Sequence, residues 1–252
     1  MKVCVGWAYH YHLQRIRREL KICAKLKHPN ILHVHGYTSG FGPFMAIVSP
    51  WAEKGNLTTY LEDEKETNLS LIRRFLLVSA LSIIYIVDGL QYLHTNNIIH
   101  GDLTGPNVLI HGNGTACLAD FGLSVVASWT SAFHGNFRWM APELLGEPED
   151  DKPVRPSKYS DIYSFGSIML QVLTSKIPYQ HIGEAAVTRC IYTGVEPSRE
   201  RYPAVSEKYW HFIEQCWSTV TKDRPSTERV VEAIDDELDS LSSSRAGIFC
   251  IW

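Results

Sequence analysis

Three oxygen-bearing side chains gather around one short pair of apolar runs. Val108-Leu109-Ile110 and Thr115 to Ala119 flank His111-Gly112-Asn113-Gly114, and an Asn-Gly dipeptide between apolar runs predicts a tight hairpin. Pairing those runs brings Asn107, just before the first, close to Asp120, just after the second. Asp102 lies five residues before Asn107 on the entering loop and can reach the same region. Hard oxygen donors converging on one point suit Mg²⁺ together with phosphate. Singly, an Asp or Asn beside a hairpin is more often a turn former, so the set carries the chemistry and no one member does.

The elements around the hairpin are predominantly helical. Apolar residues Leu13, Ile16, Leu20 and Cys23 recur at helical spacing from His12 to Lys27, and His28-Pro29 stops the pattern. Ile31 to Val34 and Phe44 to Val48, separated by a turn with Gly40, Gly42 and Pro43, predict the two strands of a hairpin. Beyond Trp51 helices dominate: 69–93, 160–174, 184–193, 207–218 and 227–241. The Pro- and charge-rich stretch Glu147 to Pro156 reads as a surface loop. A small strand-bearing N-terminal part is therefore followed by a larger helical part, with the Asn-Gly hairpin at the junction.

Composition narrows the function classes. With 252 residues, 45% of them hydrophobic, the chain can bury a sizeable core. Lys plus Arg at 24 against Asp plus Glu at 27 gives a formal charge of -3, without the cationic surplus that nucleic acid demands. The six cysteines show no CxxC pair, which argues against a zinc site or disulfide framework and for a reducing, cytoplasmic setting. Residues 1–20 carry no apolar signal region, and the longest apolar stretch, Phe75 to Val87, is too short for a membrane segment. His10, His12, His33 and His35 have no carboxylate or thiol completing a site and read as exposed strand residues.

The residues around the oxygen cluster form four ordered motifs. His100-Gly101-Asp102-Leu103, Asn107-Val108-Leu109, Asp120-Phe121-Gly122 and Ala141-Pro142-Glu143 resemble the catalytic loop, magnesium loop and activation-segment end of protein kinases, in order and at family spacing. Leu90 to His94 and Ser160 to Gly166 resemble the helix before that loop and the central helix of the large lobe. Arg138-Trp139-Met140, Cys216-Trp217 and Asp223-Arg224-Pro225 are similar to the tyrosine-kinase-like and tyrosine kinase groups. The resemblance covers nearly the whole chain.

It implies an α+β, two-lobed protein-kinase-like fold with a partial N-lobe over 1–51, a hinge over 52–57, a helical C-lobe over 58–241 and a tail over 242–252. The implied activity is transfer of the ATP γ-phosphoryl group to Ser or Thr hydroxyls of a protein, with Tyr left open, using ATP and Mg²⁺. By the same resemblance Asp102 orients the acceptor hydroxyl, and Asn107 and Asp120 hold magnesium. Lys2 pairs with ATP phosphates and with Glu19. Ser49 takes the gatekeeper position, the backbone of Pro50 and Ala52 meets the purine edge, and Leu109 floors the pocket. His100 and Phe121 stack into a spine with Val34 and Cys23, Gly122 ends the magnesium motif, and Asp161 sits in the central helix. Arg224 pairs with Glu143 in the interior, whereas Arg199 is expected at the surface.

The departures from the family pattern open an alternative. The family's Gly-rich hairpin precedes the lysine strand, and no such segment lies before Lys2, so an N-terminally truncated kinase domain and a short pseudokinase are both compatible with these residues. Gly101 stands where Arg is common, and Thr104 where Ser/Thr kinases place a Lys. A catalytically impaired pseudokinase acting as a protein-interaction module is therefore the alternative reading. With Gly101 unable to anchor a phosphate, Ser124, Ser128, Thr130 and Ser131 are expected to matter less for the activation segment than packing by Phe133 and Phe137. Arg138 or Lys158 would be the rival cation.

Overall fold

The computed structural model describes residues 3–5, 25–40, 42–66, 80–121, 137–146 and 154–237. Strand β1 (Val3–Val5), strand β2 (Gly36–Gly40) and strand β3 (Gly42–Val48) form an antiparallel sheet in the order β1-β3-β2. Helix α1 (Leu57–Glu66) and helix α2 (Ala80–Thr95) precede the hairpin of β4 (Val108–Ile110) and β5 (Ala116–Leu118). Helices α3 (Lys158–Thr174), α4 (Glu184–Tyr192), α5 (Glu207–Cys216) and α6 (227–237) complete an α+β arrangement with a reduced sheet and a helical C-terminal part. No helix among the described residues is long and apolar enough to cross a membrane.

The Asn-Gly hairpin forms as its chemistry requires. Val108, Leu109 and Ile110 face Leu118, Cys117 and Ala116, and Gly114 supplies the left-handed backbone with a φ of +88°. The first hairpin differs from expectation. Residues 36–40, which lie between the two expected strands, pair with β3, while Ile31 makes a parallel bridge to Leu118 instead. Leu32 N–H donates to Leu118 C=O and Leu118 N–H to Asn30 C=O, so that apolar run ties the two sheets together. A buried Asn30 amide donating to Ala116 C=O fixes the register. His33 and His35 are exposed as read, though in extended coil and not in a strand.

Helix α1 is absent from the elements singled out in the sequence, although its start carries a signal. Asn56 accepts from Thr59 N–H as the cap, and Leu57, Tyr60 and Leu61 are buried at helical spacing. Helix α3 begins two residues earlier than expected because Ser157 and Ser160 form a capping box. Helix α2 is described only from Ala80, and the helix expected over 12–27 lies outside the described residues except for 25–27, which are turn and coil.

One core joins α1, α2, the β4–β5 hairpin, α3 and α5. Helix α3 is buried from Ser160 through Leu173, which makes it the post against which the other elements stand. Gly166 permits the close approach of α5, since a Cβ there would lie 2.7 Å from Cys216 Cβ. A second, smaller cluster of Tyr179, Val187 and Ile191 on and near α4 receives Phe137.

Candidate active site

The segment between α2 and β4 is held from below by one buried carboxylate. Asp161, in the first turn of α3, accepts from His100 N–H at 2.9 Å and from Gly101 N–H at 2.9 Å. Its Oδ2 also lies 2.8 Å from His94 Nε2 at the end of α2. A buried carboxylate needs such partners, and here they come from the loop whose shape they set. His100 packs edge-on against Phe121 at 6.2 Å. Its imidazole is fully buried, and the desolvation lowers its pKa to about 4 despite the Asp161 carboxylate nearby, so it is neutral at physiological pH.

From this base the chain turns back through a short 3-10 turn, Gly105–Asn107, into β4. Asn107 Nδ2 donates to Asp102 C=O at 2.8 Å and to Asp102 Oδ2 at 2.9 Å. The Asn107 amide therefore spends its donor on Asp102, leaving its Oδ1 as an acceptor for something else. Ala119 N–H donates to Asn107 C=O at 2.9 Å, which brings Asp120 beside Asn107 as the hairpin pairing predicts. Asp120 itself adopts a φ of +54°, uncommon for a non-glycine residue. It presents surface to solvent, yet the protein packed on its other sides desolvates the carboxyl and raises its pKa. Two half-buried side chains and one raised carboxyl thus lie at the mouth of a single hairpin.

The expected hinge runs beside the same hairpin. Asn56 bridges to Leu109, Lys54 N–H donates to Ile110 C=O and Ile110 N–H to Gly55 C=O. Ala52 is buried, its carbonyl accepting from Gly55 N–H, while Ser49, Pro50 and Leu109 are half-buried. Glu53 accepts from Gly112 N–H in the hairpin turn, and such donors lower its pKa. Val34 is half-buried. Lys2, Glu19, Cys23, Gly122, Phe133 and the four segment hydroxyls from Ser124 to Ser131 lie outside the described residues.

Around the site, Arg224 and Glu143 form the interior pair the sequence anticipates. Two parallel bonds of 2.7 and 2.8 Å join guanidinium and carboxylate. Two expectations about arginines need correction. Arg199 is not a free surface group: it donates to Tyr202 C=O and Val205 C=O and lies over the Trp210 ring at 5.3 Å. Arg138 is not a spare cation: it is buried and donates to Glu184 and to the carbonyls of Pro178, Tyr179 and Ile182. Four acceptors leave its guanidinium committed to the loop before α4 and to the first residue of that helix. Lys158, by contrast, is exposed. Motif reading alone also gives no role to Gln171, a polar residue between Leu170 and Val172 that is buried within α3.

The comparisons agree with this construction. A family model described as protein tyrosine and serine/threonine kinase matches residues 1–234. The chain is 29% identical over 226 residues to the serine/threonine/tyrosine-protein kinase HT1 of Arabidopsis thaliana, covering 88% of this chain and 54% of that protein. It is 31% identical over 218 residues to the mitogen-activated protein kinase kinase kinase dlk-1 of Caenorhabditis elegans, covering 84% of this chain and 22% of that one. A third relative, mitogen-activated protein kinase kinase kinase 12 of Rattus norvegicus, is 31% identical over 86% of this chain and 23% of its own length. The chain thus spans about half or less of the length of these relatives. With the Asp161-anchored loop, the Asp102–Asn107 contact and the Glu143–Arg224 pair all lying within the matched residues, the chain belongs to the protein tyrosine and serine/threonine kinase family.

Proposed function

We propose that this chain is an ATP-dependent protein kinase domain that transfers the γ-phosphoryl group to a Ser, Thr or Tyr hydroxyl of a protein. The observation that carries the reading is the contact of Asn107 Nδ2 with Asp102, on a loop whose backbone N–H groups are clamped by Asp161. A carboxylate fixed in this way can accept the proton of an acceptor hydroxyl as its oxygen bonds to phosphorus and the bond to the departing ADP oxygen breaks. Asn107 Oδ1 and the Asp120 carboxylate fit Mg²⁺, a hard cation that takes few protein ligands alongside substrate phosphates. That ion would neutralise charge developing between the phosphates. Lys2, paired with Glu19, would reach the phosphates. Ser49 would act as gatekeeper, the backbone of Pro50 and Ala52 would meet the adenine edge, and Leu109 would lie beneath it. In this reading the N-lobe portion is 1–51, the hinge 52–57, the C-lobe 58–241 and the tail 242–252, acting in the cytoplasm.

A second reading, an impaired kinase serving as an interaction module, draws on Thr104. Its hydroxyl is buried without a hydrogen-bond partner among the described residues, and neither it nor Gly101 places a cation beside a transferring phosphate, where one is worth several kcal/mol. Labelled Mg-ATP with a generic protein acceptor separates the two. Under the kinase reading the protein transfers label, and Asp102→Asn lowers transfer by about 10²-fold or more at unchanged Mg-ATP affinity. Binding of Mg-ATP with no transfer by the unaltered protein selects the module.

A further inference from the structure

Behind the loop that carries Asp102 and Asn107 lies a buried polar contact. Gln171, buried in α3, accepts from Trp139 Nε1–H at 3.0 Å and donates through Nε2 to Thr58 Oγ1 at 2.9 Å. The indole nitrogen can only donate, so it fixes which end of the amide faces Trp139. That leaves the Nε2 end for Thr58. Three separate elements meet at this one side chain: the segment ending in Ala141-Pro142-Glu143, helix α1 that follows the hinge, and α3.

The catalytic loop is the fourth. Gly105 packs its backbone directly onto the pair, and a Cβ there would fall 2.4 Å from Thr58 Oγ1, 2.5 Å from Gln171 Oε1 and 2.9 Å from Gln171 Nε2. Its backbone is not left-handed, so space and not conformation demands glycine at this position. Two residues on, Asn107 holds Asp102. The loop is thus clamped by Asp161 at Gly101 and seated on the Gln171 amide at Gly105.

We infer that Gln171 is a positioning residue of the transfer site: its amide sets the spacing between the loop that carries Asp102 and the segment end at Trp139, along which an acceptor polypeptide would lie. This rests on the kinase reading above for its catalytic consequence, but its structural content does not. A buried amide satisfied at both ends has one low-energy placement, because turning it strands a donor or an acceptor in the interior. Leu or Met at the same position fills the space without specifying the spacing.

Two variants test the inference, Gln171→Leu and Trp139→Phe, which removes the indole donor together with part of the buried ring. Val172→Ala is the control, a neighbouring buried truncation on the same helix that leaves all four groups in place. Amide hydrogen exchange is read at Asn107, whose N–H donates to Thr104 C=O, and at Met140, whose N–H donates to Phe137 C=O. Both amides should exchange about tenfold faster or more in each variant under native conditions and stay unchanged in the control after correction for global stability. Steady-state transfer should show kcat lowered about tenfold with KM for ATP unchanged. Unchanged exchange at both amides, or a loss that merely tracks melting temperature as in Val172→Ala, overturns the inference. Absence of transfer by the unaltered chain would sink the kinase reading, and the exchange data would still decide the role of Gln171.

Discussion

Replacing Arg224 by Ala strands a carboxylate and two carbonyls near the segment end. The guanidinium side chain is fully buried, while Glu143 keeps 30% of its side chain exposed. Besides its two bonds to Glu143, Arg224 donates to Ser218 C=O at 2.9 Å and Tyr159 C=O at 3.0 Å. It also lies 5.1 Å from the centre of the Tyr163 ring. Breaking a buried pair from one side costs about 3–5 kcal/mol. Partial hydration of the abandoned Glu143 pulls the value to the lower end, and the two unsatisfied carbonyls push it back. An expected loss of roughly 3–4 kcal/mol corresponds to a fall in melting temperature of about 6–16 °C for a chain of this size. Arg224→Lys, which keeps the charge and loses the fork, should cost about half as much. The matched control is Arg229→Ala, since the Arg229–Glu232 pair is 74% and 62% exposed and is worth under about 1 kcal/mol. Arg199 does not serve as a control because it is bonded to the backbone. Thermal unfolding of the three variants decides the matter: an Arg224→Ala shift no larger than that of Arg229→Ala would refute the argument.

Gly166→Ala should destabilise by about 1–3 kcal/mol through overpacking of α3 against α5, seen as a lower urea midpoint at unchanged slope. Two desolvated groups should give stability opposite slopes with pH. Burial first, then Glu214, raises Glu196 to about 7 from an ordinary 4.5, so its contribution is full below about pH 4.5 and is lost as pH rises through 7. Because the group is only partly buried, roughly 1–2 kcal/mol is at stake, and Glu196→Gln should remove that slope in denaturant titrations. Burial lowers His100 to about 4, so stability falls as pH drops from 6.5 toward 4, and His100→Phe should flatten that limb. Asp120→Asn should abolish the magnesium dependence of ATP affinity, and equal affinities for both proteins across a magnesium titration would remove Asp120 from the ligand set.

Much of the site is legible because its members are local in sequence. Asn107 and Asp120 flank a hairpin written by Asn113-Gly114, and Asp102 is five residues from Asn107, so short-range turn chemistry is enough to gather them. Helix α3 is legible over 160–174, but its start at Lys158 is not, because the Ser157–Ser160 capping box lies ahead of the apolar run. The β2 strand was hidden because Gly36, Ser39 and Gly40 have turn propensity, and the sheet partner β3 overrode it. Strand identity there is a property of the pair, not of the segment.

What the tertiary structure alone decided is the use of long-range polar groups. That Asp161 grips the backbone of residues sixty positions earlier, that Arg138 is consumed by three carbonyls and Glu184, and that Gln171 joins Thr58 to Trp139 leave no periodic trace in the chain. Periodicity encodes which face of an element is buried. It does not encode the partner of a buried donor, because that partner is chosen by packing between elements far apart in sequence, where an unpaired polar group costs too much to persist.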